Sequence, residues 1–563
     1  MRSYPLYPGR SITDLNGIWK FHFCEKTFLE DVDETSFVPD DIMSVPGAFD
    51  TTPAYRCKRG TGLYRREFLL TEDSPRGILK IAGIGLRARF RIDGREVGFT
   101  NLPYSGVEFE TGPLKAGRHV ITAAIDNNFD PEKMKLFLPN YDFYAFGGFY
   151  RNIELHQLPE CALDRVQVRT LCHETGKVSL RFLFSGAVEG TKTVRFRFDT
   201  ENDFRSAEIG QGGTVECIVP DFRLWTPEKP ELHTLEVLFG NDRIVERFGI
   251  RTIHTGKRCL LLNGKPIYLK GFNRHESHPE FGPATPEQVM IEDLQNLRDL
   301  NCNMVRGCHY SQDQRFLDLC DEFGMLVWEE SLGWGNSGSQ MADPEFRSLQ
   351  EQQTRLMVRN SINHPSVIIW AFLNEHDSST PEGYAITDQL VRSIKDEDSS
   401  RVVTFACNHT WNDICHPLLD MIAYNIYPGW IGEHPQGVEP PDEIPPMQEK
   451  VLKYFRDRVG ENTPIMVSEM GCCGIYGQRD LAKTQWSEEF QAEYLEAVIK
   501  SVSSVQEELC GLTIWQFNDA MSFHRMGSDI RSKPLGLNLA GSFDKFRRRK
   551  LSADVVKKLY HNL

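Results

Sequence analysis

Up to about residue 252 the apolar residues recur in short alternating runs, among them GILKIAGIGLRARFRIDG, HVITAAIDN, RNIELHQL, KVSLRFLFSG, TVRFRFDT and HTLEVLFG, with Gly, Pro or Asp turns between them. A period of two is that of antiparallel strands with one face on a core. The length suits two β-sandwiches better than one. The stretch QLPECALDRV (157–166) is the natural joint, because one strand run ends and another begins around Pro159.

From about residue 259 the grammar changes to short, wholly apolar runs alternating with amphipathic helical segments. The strand candidates are IYLKGFNRH, MVRGCH, MLVWEE, VIIWAFLNE, VVTFAC, MIAYNIY, PIMVSEMG and GLTIWQF. Helical spacing runs through TPEQVMIEDLQNLRDLN, QDQRFLDLCDEFG, EFRSLQEQQTRLMVRNSIN, EEFQAEYLEAVIKSVSS and SADVVKKLYHNL. Eight buried parallel strands, each followed by a helix or an equivalent connection, predict a (β/α)8 TIM barrel. The connection after VVTFAC is the least helix-like and is expected to be short or irregular.

Composition narrows the function. With 64 Lys+Arg against 79 Asp+Glu, the 563-residue chain carries a net charge of −15, the wrong sign for a nucleic-acid or anionic-membrane partner. The basic run Arg547, Arg548, Arg549 and Lys550 reads as a solvated surface patch. No apolar segment is long enough to span a membrane, and the N-terminal residues lack an apolar signal core, so a cytoplasmic location is expected. Fourteen cysteines without a CxxC pair, Cys472 and Cys473 included, read as buried apolar side chains in a reducing compartment.

In a barrel of this kind the active site is built at the C-terminal ends of the strands. The residues there are His275, His309, Glu329, Glu330, Asn374, Glu375, Asn408, Asn425, Tyr427, Glu469 and Trp515. Two carboxyl groups facing one space are what glycosidic bond cleavage requires, and a separation of about 5–5.5 Å leads to a covalent intermediate and retained configuration. Glu375, ending the fourth strand run, is assigned as general acid/base, and Glu469, ending the seventh, as nucleophile.

These residues carry a resemblance that covers the chain. LNGIWKF (15–21), VPGAF (45–49), GLYRREF (62–68), FGIRTI (248–253), LLNGKPIYLKGFNRHESHPEFG (261–282), NMVRGCHYSQDQRFLDLCDEFGMLVWEE (303–330) and FLNEH (372–376) resemble glycoside hydrolase family 2. The resemblance implies a jelly-roll β-sandwich that binds sugar (1–158), an immunoglobulin-like β-sandwich (159–252) and the catalytic barrel (253–563). It also implies that Asn374 contacts the sugar 2-hydroxyl beside the acid/base Glu375, and that Glu469 is the nucleophile. DFYAFGGFYR (142–151) is similar to the segment by which the family's first domain sends an Asp into the barrel mouth, making Asp142 a substrate-binding candidate. His275 and His309 match sugar-binding histidines, Trp515 an aromatic floor, and YNIYPGW (424–430) a β-glucuronidase pattern supplying Asn425 and Tyr427. A dimer or tetramer is common in the family.

Two departures bear on specificity. A hexuronate carboxylate needs fixed positive charge, which the family supplies from an Asn-x-Lys motif; here Asn538 is kept as a substrate-binding candidate and Ala540 stands at the Lys position. Trp334 and Asn336 occupy points where large β-galactosidases of the family hold magnesium, and HESH (275–278) lacks the spacing of a zinc pair, so neither a metal nor a cofactor is expected. The resulting expectation is a retaining exo-β-glycosidase for a small soluble glycoside with a neutral terminal sugar, a β-galactoside first. The alternatives are a β-glucuronidase whose carboxylate clamp is displaced to Arg531 or Lys533, and an inactive carbohydrate-binding protein, against which the retention of both carboxylates argues.

Overall fold

The computed structural model describes residues 3–137, 143–186, 190–199, 201–431, 439–522 and 533–563. The first alternating runs form two facing antiparallel sheets. One has four strands, in the order Ile12–Asp14, Ile153–Leu158, Ser74–Ile81, Val107–Leu114; the other has six, in the order Asp41–Val45, Gly17–Glu25, Gly60–Leu70, Gly117–Asp126, Arg87–Ile92, Arg95–Thr100. The following runs form a second sandwich, with Cys161–Cys172, Lys177–Gly186 and Thr214–Ile218 in one sheet and Arg205–Ile209, Lys192–Phe198, His233–Phe239 and Asp242–Phe248 in the other. In Lys177–Gly186 buried Val178, Leu180, Phe182 and Phe184 alternate with more exposed residues, the period read from the sequence.

The barrel strands are β1 (Leu269–Arg274), β2 (Met304–Gly307), β3 (Leu326–Glu330), β4 (Val367–Ala371), β5 (Val402–Thr404 and Ala406–Cys407), β6 (Ile422–Asn425), β7 (Ile465–Glu469) and β8 (Gly511–Ile514). Every neighbouring pair is parallel, and β8 pairs with β1, so the sheet closes on itself. Strand β5 is broken at Phe405. The connection after it contains a single turn of 3-10 helix, His416–Leu418, in keeping with its weak helical pattern. Elsewhere the helices start where their caps require: Asp313 accepts from Arg315 N ahead of Gln314–Phe323, Asp343 from Glu345 N ahead of Pro344–Ser361, and Ser487 from Phe490 N ahead of Glu488–Ser504. Among the described residues no helix is long and apolar enough to cross a membrane.

Inside the barrel, alternation along the strands stacks two chemically different layers. Leu269, Met304, Leu326, Trp328, Ile369, Val402, Ala423 and Met466 belong to one buried apolar cluster. One step toward the C-terminal ends lie Asn273, Arg306, Glu330, Asn425 and Ser468, equally buried but polar. The apolar layer supplies the hydrophobic stabilisation, and the polar layer is tolerated because its members bond one another.

Both sandwiches are fastened to the barrel. Arg151 of the first donates to Glu276 at 2.8 Å and to Ser311 O at 2.6 Å, and Tyr104 stacks on Tyr310 with ring centroids 3.8 Å apart. Buried apolar side chains of the first sandwich and of the barrel form one continuous cluster. The second sandwich has a core of its own but docks through Trp225, which joins the apolar cluster of the barrel and donates from Nε1 to Asp321 O at 2.9 Å, and through Arg251, which donates to Pro365 O and Val367 O at 3.0 and 2.7 Å.

The basic run expected at the surface is divided by the fold. Arg547 is 5% exposed and pairs with Asp293 at 2.9 Å, and Lys550 is 1% exposed, its Nζ on Asp519 at 2.7 Å and on the carbonyls of Gly474 and Leu539. Arg548 and Arg549 keep the more exposed positions. Four adjacent charges conceal this division because the αL turn at Arg547, φ 64°, re-aims its side chain inward. Arg547→Ala leaves Asp293 with Arg274 alone and is expected to destabilise the barrel by about 3–5 kcal/mol, read as a lowered urea or thermal midpoint.

Candidate active site

The polar layer converges on Arg306, at the end of β2 and fully buried. Its Nη1 donates to Glu469 Oε1 at 2.6 Å and to Asn273 Oδ1 at 2.7 Å; its Nη2 donates to Asn374 Oδ1 and Glu330 Oε2, each at 2.8 Å. One planar guanidinium thereby holds side chains from β1, β3 and β7 and from the residues after β4. Its five fixed donors suit this task in a way a lysine would not.

Glu469, which ends β7, is 3% exposed. Its Oε2 accepts from the Tyr427 hydroxyl at 2.6 Å. Burial pushes its carboxyl above the ordinary range, while the Arg306 guanidinium and the Tyr427 hydroxyl pull it back. Glu375 lies past the end of β4, half-buried and in the left-handed region at φ 54°, as is Leu373 at φ 44°. The Glu375 N–H donates to Ala406 O at 2.9 Å, and its Oε1 accepts from Asn425 Nδ2 at 2.8 Å. Asn425 also donates to Asn374 Oδ1 at 3.3 Å and accepts from Ser468 at 2.7 Å, so an unbroken chain of hydrogen bonds joins the two carboxylates through Asn425, Asn374 and Arg306.

The loop after β3 supports this turn. Asn374 N donates to Gly333 O at 3.0 Å and Gly335 N to Asn374 O at 2.8 Å. Trp334 and Asn336 thus lie in a segment that braces Asn374; Asn336 turns to Gln340 at 2.8 Å. The Asn374 side-chain amide nitrogen is buried without a hydrogen-bond partner among the described residues.

A flat wall completes the mouth. His309 stacks on Trp515 with centroids 5.4 Å apart and planes 15° from parallel, and its Nδ1 lies 3.0 Å from Glu330. His275 meets Trp515 edge-on at 5.6 Å, and its Nδ1 lies 3.3 Å from Tyr310 OH. The first sandwich reaches this wall: Phe143 packs 5.1 Å from the His275 ring and 6.1 Å from that of His309. Asp142 lies outside the described residues, as does Arg531. Asn538 is buried and accepts from Ala540 N at 3.3 Å, beside Gln516.

Glu375, Glu469, Asn374, Asn425 and Tyr427 are thus brought into one network, with His275, His309 and Trp515 forming the wall beside it. Of the two adjacent carboxylates ending β3, only Glu330 turns inward. Glu329 faces Gln312 N and Ser361 Oγ, each at 3.3 Å, and burial pushes it up to about 8. Sequence reasoning missed Arg306, Asn273 and Tyr310. The available signal for Arg306 was a lone guanidinium within MVRGCH, a strand that has no solvent-facing side to put it on. For metal chemistry, His275, Cys308 and His309 offer ligand atoms within 4.8 Å of one another. The second histidine of HESH, His278, instead stacks on Phe281 with centroids 4.8 Å apart.

Comparison with known proteins places this geometry. Residues 253–563 match the model of the TIM barrel domain of glycosyl hydrolases family 2. The chain is 27% identical to β-glucuronidase of Sus scrofa, over 99% of this chain and 92% of that one, and 26% identical to the Homo sapiens β-glucuronidase, over 98% and 91%. Among solved structures, a β-galacturonidase from Eisenbergiella tayi with galacturonate bound superposes with a TM-score of 0.90 at 30% identity, covering 100% of this chain and 99% of that one.

These names overturn the neutral-sugar expectation and its β-galactoside reading. That expectation took Ala540 as the loss of positive charge from the site. In the structure Ala540 is 4% exposed and its carbonyl accepts from Gln516 N at 3.1 Å, so position 540 packs within the rim. Lys533, in the stretch before Asn538, pulls down on the Cys473 thiol, which burial holds up at about 11. With its barrel matched from end to end and relatives covering both sandwiches, the chain belongs to glycoside hydrolase family 2.

Proposed function

We propose that this enzyme is a retaining exo-β-glycosidase that removes a terminal hexuronic acid. The observation that carries the uronide reading is the full-length similarity to the galacturonate-binding β-galacturonidase, at 30% identity and a TM-score of 0.90. The galacto epimer is placed ahead of the gluco epimer because the β-galacturonidase shares 30% identity with this chain, against 27% for the Sus scrofa β-glucuronidase.

In this reading Glu375 protonates the departing glycosidic oxygen while Glu469 attacks the anomeric carbon, giving a covalent glycosyl-enzyme. Glu375, now ionised, takes a proton from water as that water attacks the same carbon and frees Glu469. Arg306 and Tyr427 aim Glu469 and favour its ionised form against the burial that raises it, since both bond the carboxylate directly. The buried Asn374 amide donates to the sugar 2-hydroxyl, the contact that satisfies it. The wall of Trp515 and His309 takes the apolar face of the ring, and His275, Asp142 and Asn538 hold its hydroxyls. Lys533, with Arg531, binds the uronate carboxylate from the loop before Asn538.

Aryl β-galacturonide, β-glucuronide and β-galactoside offered to the full chain are expected to rank in that order, and preference for the neutral galactoside would sink the proposal. Glu469→Gln is expected to lose roughly a thousandfold or more in kcat.

Arg306→Gln removes the cation that holds Glu469 down, so the acid limb of kcat/KM against pH should move to higher pH. A limb that stays in place would deny Arg306 that role. Lys533→Met should raise KM for uronides by roughly tenfold to a hundredfold while leaving an aryl neutral glycoside unaffected, as steady-state kinetics on both substrates would show.

A further inference from the structure

At the end of β5 three metal-ligating side chains stand together, none of them used in the hydrolytic site. Cys407 closes the strand, Asp413 lies in the following loop, and His416 opens the 3-10 turn. Cys407 Sγ donates to Asp413 Oδ2 at 3.0 Å, His416 Nε2 stands 3.5 Å from Asp413 Oδ1, and all three ligand atoms lie within 4.8 Å of one another. Cys407 is 2% and His416 7% exposed, and the Asp413 carboxylate is covered.

Two features set the cluster apart from an ordinary polar contact. His416 Nε2 is buried and has no hydrogen-bond partner among the described residues, a state that costs free energy unless something binds there. The loop also fixes the carboxylate in advance: Asp413 Oδ1 accepts from Cys415 N at 2.7 Å and from His416 N at 3.0 Å, which leaves Oδ2 facing the thiol. By contrast, in the cluster of Asp318, Asp321 and His364 the imidazole Nδ1 already bonds Asp321 at 2.6 Å and Arg247 lies 3.0 Å from Asp318, so a protein cation fills that place.

We propose that Cys407, Asp413 and His416 bind one divalent ion of the zinc type. A thiolate, an imidazole and a carboxylate together suit zinc or cobalt, whereas magnesium and calcium prefer oxygen alone. Tetrahedral zinc, with bonds of about 2.0–2.3 Å, places its ligand atoms about 3.3–3.7 Å apart, close to the spacing already present. On binding, the Cys407 S–H bond breaks, its proton leaves to solvent and the sulfur lone pair forms the metal–sulfur bond; no electron is transferred. Three protein donors leave the fourth position to water. The ion ties the loop 408–416 to the strand whose Ala406 carbonyl accepts the Glu375 N–H.

Titration of the metal-stripped full chain with cobalt(II) tests this independently of any glycosidase assay. The expected result is one equivalent bound with a thiolate-to-cobalt absorption band, displaced by zinc and untouched by magnesium. The band should vanish in Cys407→Ser, and affinity should fall by roughly tenfold or more in His416→Gln, with circular dichroism reporting the fold of each variant. Absence of the band in the wild type, or its persistence unchanged in Cys407→Ser, overturns the site. Should Cys407→Ser not fold, His416→Gln decides: unchanged affinity overturns the site and weakened affinity supports it.

Discussion

A guanidinium sealed inside a barrel is expensive, and much of this molecule follows from keeping one there. Arg306 is fully buried, and removing a charge from water costs several kcal/mol unless the partners are arranged around it beforehand. Glu330, Glu469, Asn374 and Asn273 are those partners, and they come from elements far apart in the chain. The closed parallel sheet is what brings them together. The charge in turn acts on the carboxylate beside it: burial pushes the Glu469 carboxyl up, and Arg306 pulls it back toward the ionised form.

The rest of the rim is organised around that centre. The turn after β4 accepts left-handed backbone at Leu373 and Glu375, which costs on the order of 1–2 kcal/mol per residue for side chains other than glycine. The loop at 333–335 holds it from one side and the Ala406 carbonyl from the other. Strain of this kind persists only where the surroundings over-determine it, and here three separate backbone contacts do so.

Much of this was legible in the sequence, for identifiable reasons. The barrel strands announce themselves as apolar runs because both of their faces are covered, and the facing carboxylates Glu375 and Glu469 sit at the run ends because that is where the fold opens. Arg306 was not legible, since a single Arg in a strand run gives no sign of how many partners it has. The inward turn of Arg547 and Lys550 was hidden for a related reason: exposure is a property of the tertiary contacts, with Asp293 and Asp519 drawn from elsewhere in the chain. Sugar specificity was misread because a single motif position, Ala540, was made to decide it, and the full-length relatives point the other way.

The way the apolar cores are joined has a consequence for cooperativity. Side chains of the first sandwich and of the barrel belong to one buried cluster, while the second sandwich keeps a core of its own and lends Trp225 to the second apolar cluster of the barrel. The first sandwich cannot expose that shared core without exposing barrel side chains as well, so the two are coupled in unfolding. The wall of His275, His309 and Trp515 rests on that shared core through Tyr104 and Tyr310, so its order depends on the first sandwich and the barrel staying closed on each other.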